Sequence, residues 1–198
     1  ALSSGRIADF LPWLEKHRTK KQQEMAEIQQ AVETLDWYID YYKYLGDNQL
    51  PQVPFKKFFP SRHVLSVPMS PGEKLLGPGG YRLAELKNRP RFKTLPFLRQ
   101  HGYFMNFKAF MESRIEPEHY FVYLKGPGDF ADESIQHIPA GEFLCFRGRL
   151  LIHEWEPRLA IDLLKTSGQN HLVVADEYEV DLNDFSCDVY EIQILLNG

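Results

Sequence analysis

Three glutamates near the C-terminal end of the chain have the spacing that charge capture requires. The stretch Leu172-Val173-Val174-Ala175-Asp176-Glu177-Tyr178-Glu179-Val180-Asp181 begins as an apolar strand and ends in carboxylates. Side chains on a strand alternate between faces. Leu172, Val174, Tyr178 and Val180 therefore share one face, broken by Asp176, and Val173, Ala175, Glu177 and Glu179 share the other. A second strand, Val189-Tyr190-Glu191-Ile192-Gln193-Ile194-Leu195, follows after one loop. Its Glu191 lies opposite the apolar face made by Tyr190, Ile192 and Ile194. Glu177, Glu179 and Glu191 together on the open face of a sheet would make an acidic floor. In a chain with 10 Tyr and 14 Phe, that floor suggests capture of an apolar cation. Ring faces attract a delocalised cation by about 0.5–2 kcal/mol each. A carboxylate in a low-dielectric pocket adds selectivity for positive charge.

Several other chemistries lack their residues. No Ser-His-Asp order, Cys-His dyad or two-histidine zinc motif is present, and His153-Glu154-Trp155-Glu156 lacks the second histidine. Gly77-Pro78-Gly79-Gly80 is a turn without the Lys-Ser/Thr of a phosphate loop. Cys145 and Cys187 form no metal or redox spacing and read as thiols in a reducing, cytoplasmic compartment. A net charge of −4 leaves no basic footprint for nucleic acid. No apolar run is long enough to span a membrane. No metal or cofactor is implied. The first residues, Ala1-Leu2-Ser3-Ser4-Gly5, read as the middle of a longer protein rather than as a signal peptide.

The elements that must position the acidic floor follow from periodicity. Residues 6–13 suggest a short amphipathic helix, and 14–45 a long one without internal Gly or Pro, stopped by Gly46. In the long helix Met25, Ile28, Val32, Leu35, Ile39 and Tyr42 recur at spacings of three and four, an a/d seam. So narrow a seam calls for a partner helix, and the chain has no second long one. A homodimer is therefore expected, and residues 1–46 form a dimerisation region. Lys16, His17, Arg18, Lys20 and Lys21 make a basic run at its start. Pro51, Pro54 and Pro60 mark a linker over 47–61. From 62 to 198 the period turns to strand. His63–Pro68 is a strand, a helical stretch broken by prolines runs from Tyr81 to Gln100, and Tyr103–Met111 and His119–Lys125 alternate as strands. The order then repeats: a strand over Ile135–Arg147 broken at Pro139-Ala140-Gly141, a helix from Pro157 to Gly168, and the two strands that carry the glutamates. The fold class is α+β. Two strand–helix–strand–strand repeats should form one mainly antiparallel sheet with both helices on one face and the other left for a ligand.

This order, with Ile138-Pro139-Ala140-Gly141-Glu142-Phe143, Leu172-Val173-Val174-Ala175-Asp176-Glu177-Tyr178-Glu179 and Glu191-Ile192-Gln193-Ile194, resembles the C-terminal part of MerR-family transcription regulators. Within that family it is most similar to the multidrug-sensing BmrR type with its GyrI-like effector-binding domain. The resemblance covers roughly residues 14–196. It implies a domain that binds lipophilic cations between aromatic side chains over a buried glutamate, here Glu179. Trp155 falls where the family has a pocket tyrosine, and Leu150 where it has a pocket phenylalanine. Glu191 matches a glutamate common on the last strand of GyrI-like domains. The family's winged-helix DNA reader is not in this chain. Promoter DNA and RNA polymerase would therefore be met only through it.

Unpaired in a pocket, Glu179 would cost several kcal/mol. Empty, it should hold a proton or a hydrogen bond from tyrosine or water. Glu177 and Glu191 are secondary contacts, and Tyr103, Phe107 and Tyr120 are the aromatic candidates of the first half. Tyr178 is expected to point toward the helices as core. Two other readings stand beside the sensor, which is not an enzyme. Some GyrI-like domains resemble small hydrolases, and Glu191 with Trp155 could then act as a general base. Alternatively the seam helix alone carries the function and the remainder is scaffold.

Overall fold

A computed structural model describes residues 10–46, 53–126, 132–165 and 169–197. The chain divides into two compact units, Ala1–Asn48 and Gln49–Gly198.

The first unit is one helix, α1 (Leu11–Gly46). Pro12 lies in its first turn, where the missing N–H costs no hydrogen bond. Of the short helix expected over 6–13, residues 11–13 belong to α1, and 6–9 lie outside the described residues. The six seam residues Met25, Ile28, Val32, Leu35, Ile39 and Tyr42 are all exposed on the single chain, at 43–69%. Helix interiors of this kind gain little stability from propensity alone. Local ties such as Lys21 Nζ to Glu24 (2.7 Å) add only tenths of a kcal/mol.

The second unit runs β1 (Phe55–Phe59), β2 (Arg62–Pro68), α2 (Gly79–Lys87), β3 (Phe97–Met105), α3 (Phe107–Met111), β4 (Pro117–Leu124), β5 (Ile135–Ile138), β6 (Gly141–Gly148), α4 (Arg158–Leu164), β7 (Val173–Tyr178) and β8 (Val189–Asn197). The eight strands form one sheet in the order β1-β6-β8-β7-β3-β4-β2-β5. Every pairing is antiparallel. The repeats β2-α2-β3-β4 and β6-α4-β7-β8 meet at the central β3–β7 pair. The α+β class and the doubled order are thus present.

Several expectations change at the level of elements. The stretch 47–61 is not all linker: Phe55–Phe59 is a strand on β6, and 47–52 lie outside the described residues. The helical stretch ends at Lys87, and Phe97–Gln100 belongs to β3. The alternation over Tyr103–Met111 breaks at Asn106, whose side chain accepts from the Ala109 N–H at 2.9 Å and starts α3. Residues 166–168, the expected end of the last helix, lie outside the described residues.

The strand interrupted at Pro139-Ala140 closes the sheet on itself. Phe59 lies opposite Gly141, and Arg62 opposite Ile138. The ladder therefore resumes in the same register after two residues on each side. All eight strands contribute to the enclosed core: Phe59, Val64, Phe104, Phe121, Ile138, Phe143, Val174 and Leu195. The outer face carries both helices. Leu83 and Leu86 of α2 pack on Leu65, Val67 and Val122. Ala160, Ile161 and Leu164 of α4 pack on Leu144, Phe146, Val173, Ala175 and Ile192.

Candidate functional site

Strand register decides which glutamates meet. Glu177 pairs with Tyr190 of β8 and with His101 of β3. Asp176 pairs with Glu191. Glu177 and Glu179 therefore look out toward the helices, and Glu191 and Asp176 look into the enclosed core. The expected floor of three glutamates is split between two faces. The face opposite the helices holds no open floor, because it is filled by aromatic core. Tyr178 also turns away from the helices, since it shares its face with Asp176.

Glu177 is the buried acid on the helix side, with 6% of its surface exposed. Tyr190 Oη donates to its Oε1 at 2.9 Å, and Tyr120 Oη reaches Oε2 at 3.4 Å. The rings of Tyr103 and Tyr120 lie 4.8 Å apart, and Tyr103 and Tyr190 6.3 Å. His101 stacks on the far side of Tyr120 at 5.6 Å. Three tyrosines thus box one carboxylate. Burial pushes the Glu177 carboxyl up to about 7, the tyrosine donors oppose the rise, and neighbouring Asp188 and Glu179 add to it. Burial also drives His101 down to about 4, so it is neutral at physiological pH. The hydroxyls of Tyr120 and Tyr190 are raised by burial and by the carboxylate beside them.

The other predicted residues fall around this box or away from it. Glu179 is half-buried, and its Oε2 accepts from Arg99 Nε at 3.1 Å and from Arg99 Nη2. Glu191 is fully buried on the inner face, with Arg147 Nε 3.2 Å away. Trp155 stacks on Phe146 at 6.3 Å and packs near Phe110, in the core under α4. Gly148 makes room for it: a Cβ there would sit 2.5 Å from Trp155 Cβ. Trp155 and Glu191 lie on opposite faces of the sheet and cannot act together as a general-base pair. Phe107 opens α3 and meets His171 edge-on at 5.4 Å.

Leu150 is buried beneath a cleft of about 570 Å³. Leu75, Ile115, Pro117 and Leu151 also line that cleft, with Glu73, Lys74 and His153 among its polar residues. Its 71–75 wall continues to Leu76, whose N–H donates to Tyr103 Oη at 3.1 Å. The cleft wall therefore rests on the tyrosine box. Leu76 and His153 both hold left-handed φ of 57°, a conformation that costs a non-glycine residue about 1–2 kcal/mol. Among the described residues no group of His, Cys, Asp and Glu could hold a metal ion. No described helix is long and apolar enough to cross a membrane.

Tyr190 and His101 are not among the ligand contacts expected from the sequence. Alternation alone grouped Tyr190 with Ile192 and Ile194 as core. Only the pairing of β7 with β8 brings its hydroxyl to Glu177.

No family model matches the chain, and no curated protein matches it. Among solved structures the chain is similar to one described as a cryo-EM structure of an EcmrR–DNA complex in EcmrR-RPo. The identity is 13% and the TM-score 0.38, over 92% of this chain and 70% of that one. So loose a superposition carries no argument about function.

Proposed function

We propose that this chain is the ligand-sensing and dimerisation region of a MerR-type, BmrR-like transcription regulator, and that it binds lipophilic cations without chemical turnover. The reading rests on one observation: a carboxylate 6% exposed, held by tyrosine hydroxyls and walled by Tyr103, Tyr120 and Tyr190. A buried charge without a cation is costly. Supplying that cation is therefore how a guest would gain affinity. Aromatic walls favour a delocalised one, whose hydration is cheap to lose. The counter-ion role goes to Glu177, because the charge of Glu179 is already met by Arg99. The GyrI-like sequence resemblance and the doubled strand–helix–strand–strand order support the same family. Leu150 and the adjacent cleft would receive the apolar body of the guest.

The exposed α1 seam would pair with a second copy. Continued toward the N-terminus, its spacing reaches Lys21 and Arg18. A parallel, in-register pair would stack these like charges, whereas an antiparallel pair sets them beside Ile39 and Tyr42 of the second copy. Promoter DNA and polymerase would be engaged through the family's DNA reader, and the chain would work in the cytoplasm.

Titration with a fluorescent lipophilic cation tests the site. Glu177→Gln should abolish binding and Glu179→Gln should leave it intact; the reverse pattern would sink the assignment. Sedimentation at micromolar concentration tests the pairing, and a monomer that persists in the intact regulator would remove it.

A further inference from the structure

Among the described residues, the cations nearest Glu177 are each engaged elsewhere when the site is empty. On its own strand Glu179 is held by Arg99 of β3. From β3, His101 is neutral at physiological pH, and Tyr103 supplies only a hydroxyl, which accepts from Leu76. From β4 comes Tyr120, from β8 Tyr190, and from the residue just before β8 Asp188. Asp188 is fully buried, one residue beyond the end of the β7–β8 ladder, and its charge acts on Glu177. One Asp188 oxygen accepts from the Val180 N–H at 3.1 Å, and the other has no hydrogen-bond partner in the structure. The nearest helix contributes Lys87, but its ammonium lies over the Phe97 ring at 4.9 Å. Glu73, whose charge acts on Tyr103, is paired with Arg82. Two buried acids, Glu177 and Asp188, thus lie near one another beside tyrosine hydroxyls, with no cation of their own among the described residues.

Such a box cannot stay anionic at no cost, and a proton neutralises it without any ring having to move. We propose that the site, taken as the effector site argued above, loads by exchange: an arriving lipophilic cation replaces a proton held between Glu177 and its tyrosines, and that proton leaves to solvent. The charge of the box is then the same before and after binding. The sensor reads the ratio of cation to proton rather than cation alone. Burial, together with Asp188 and Glu179, brings the exchange into the neutral range.

The probe is tetraphenylphosphonium, which has no ionisable group, so any pH dependence belongs to the protein. Calorimetry in phosphate and in Tris, buffers of different ionisation enthalpy, counts the protons released. Affinity should fall about tenfold per pH unit below about pH 7 and level off above it, with roughly one proton released per cation near pH 6. Asp188→Asn, which can still accept from Val180, should move the bend in that profile to lower pH. Binding that Glu177→Gln abolishes but that is flat from about pH 5.5 to 8.5, with no proton released, would overturn the exchange and leave the site standing. No binding at any pH would sink the site reading and the exchange with it.

Discussion

Strand β7 carries two buried carboxylates back to back, and their surroundings differ in kind. On the inner face Asp176 accepts from Tyr123 Oη and Gln193 Nε2, both at 2.7 Å, with Arg62 Nη1 3.7 Å away. The Arg62 guanidinium lies 4.4 Å over Phe59 and faces Phe143 and Tyr123 at 5.4 and 5.5 Å. Glu191 beside it has Arg147, with Lys57 at 3.9 Å. Burial raises both Asp176 and Glu191; Arg62 opposes the rise at Asp176, and the hydrogen bond from Gln193 opposes it at Glu191. This is an acid under aromatic rings with its own cation built in. On the outer face Glu177 has the acid and the rings but tyrosine hydroxyls where the cation would be. The inner side shows an acid already matched by a cation, and on the reading proposed above the outer side is the same chemistry left for a guest.

Removing the built-in cation should do the most damage. Arg62→Met strands Asp176 and should cost about 3–5 kcal/mol in chemical denaturation. A loss under 1 kcal/mol would mean that the inner cluster is not the filled counterpart it resembles. Glu177→Gln should act in the opposite direction. The folded carboxyl titrates near 7, above its ordinary 4.5, so the folded chain holds a proton that the unfolded chain has lost between those values. Stability from this group is complete at low pH and lost as pH rises through 7. The glutamine variant should therefore match the parent near pH 4 and exceed it by roughly 1–3 kcal/mol at pH 8, read as thermal midpoints across pH.

Gly102 lies opposite Asp176 in the ladder, next to His101, which lies opposite Glu177. A Cβ there would sit 2.6 Å from the Phe121 ring and 2.7 Å from the Ala175 carbonyl oxygen. Gly102→Ala should cost about 1–3 kcal/mol and disturb both sites. If only ligand affinity changes, the two faces are less coupled than the packing implies. The smallest effect belongs to Glu179→Gln, whose ion pair with half-buried Arg99 is partly open to solvent, which limits the loss to at most about 1 kcal/mol, with cation affinity unchanged.

Much of this was legible in the sequence. The seam of Met25 to Tyr42 marks α1, and the repeated order of strands and helices is present in the second unit. Within each strand, alternation assigns the faces of β7 and β8 correctly. It does not say which face of one strand meets which face of the next, because that depends on which residues pair. Glu177 opposite Tyr190 places Glu191 opposite Asp176, and the expected floor divides. Phe55-Lys56-Lys57-Phe58-Phe59 lacks polar–apolar alternation, since Phe58 stands exposed beside Phe59. Its strand character comes from β6. Phe97-Leu98-Arg99-Gln100 is too short to separate strand from helix by period, and its place between β4 and β7 decides. A single cap at Asn106 turned an apparent strand into α3.

The two-residue interruptions at Pro60-Ser61 and Pro139-Ala140 have a further consequence. The short strand ahead of each repeat pairs into the other repeat, β1 with β6 and β5 with β2, so the sheet is a hoop fastened by exchanged ends. Removing either repeat would leave the other with an unpaired strand edge, and a guest bound as proposed, spreading the strands beside Glu177, would strain the whole circumference rather than one loop.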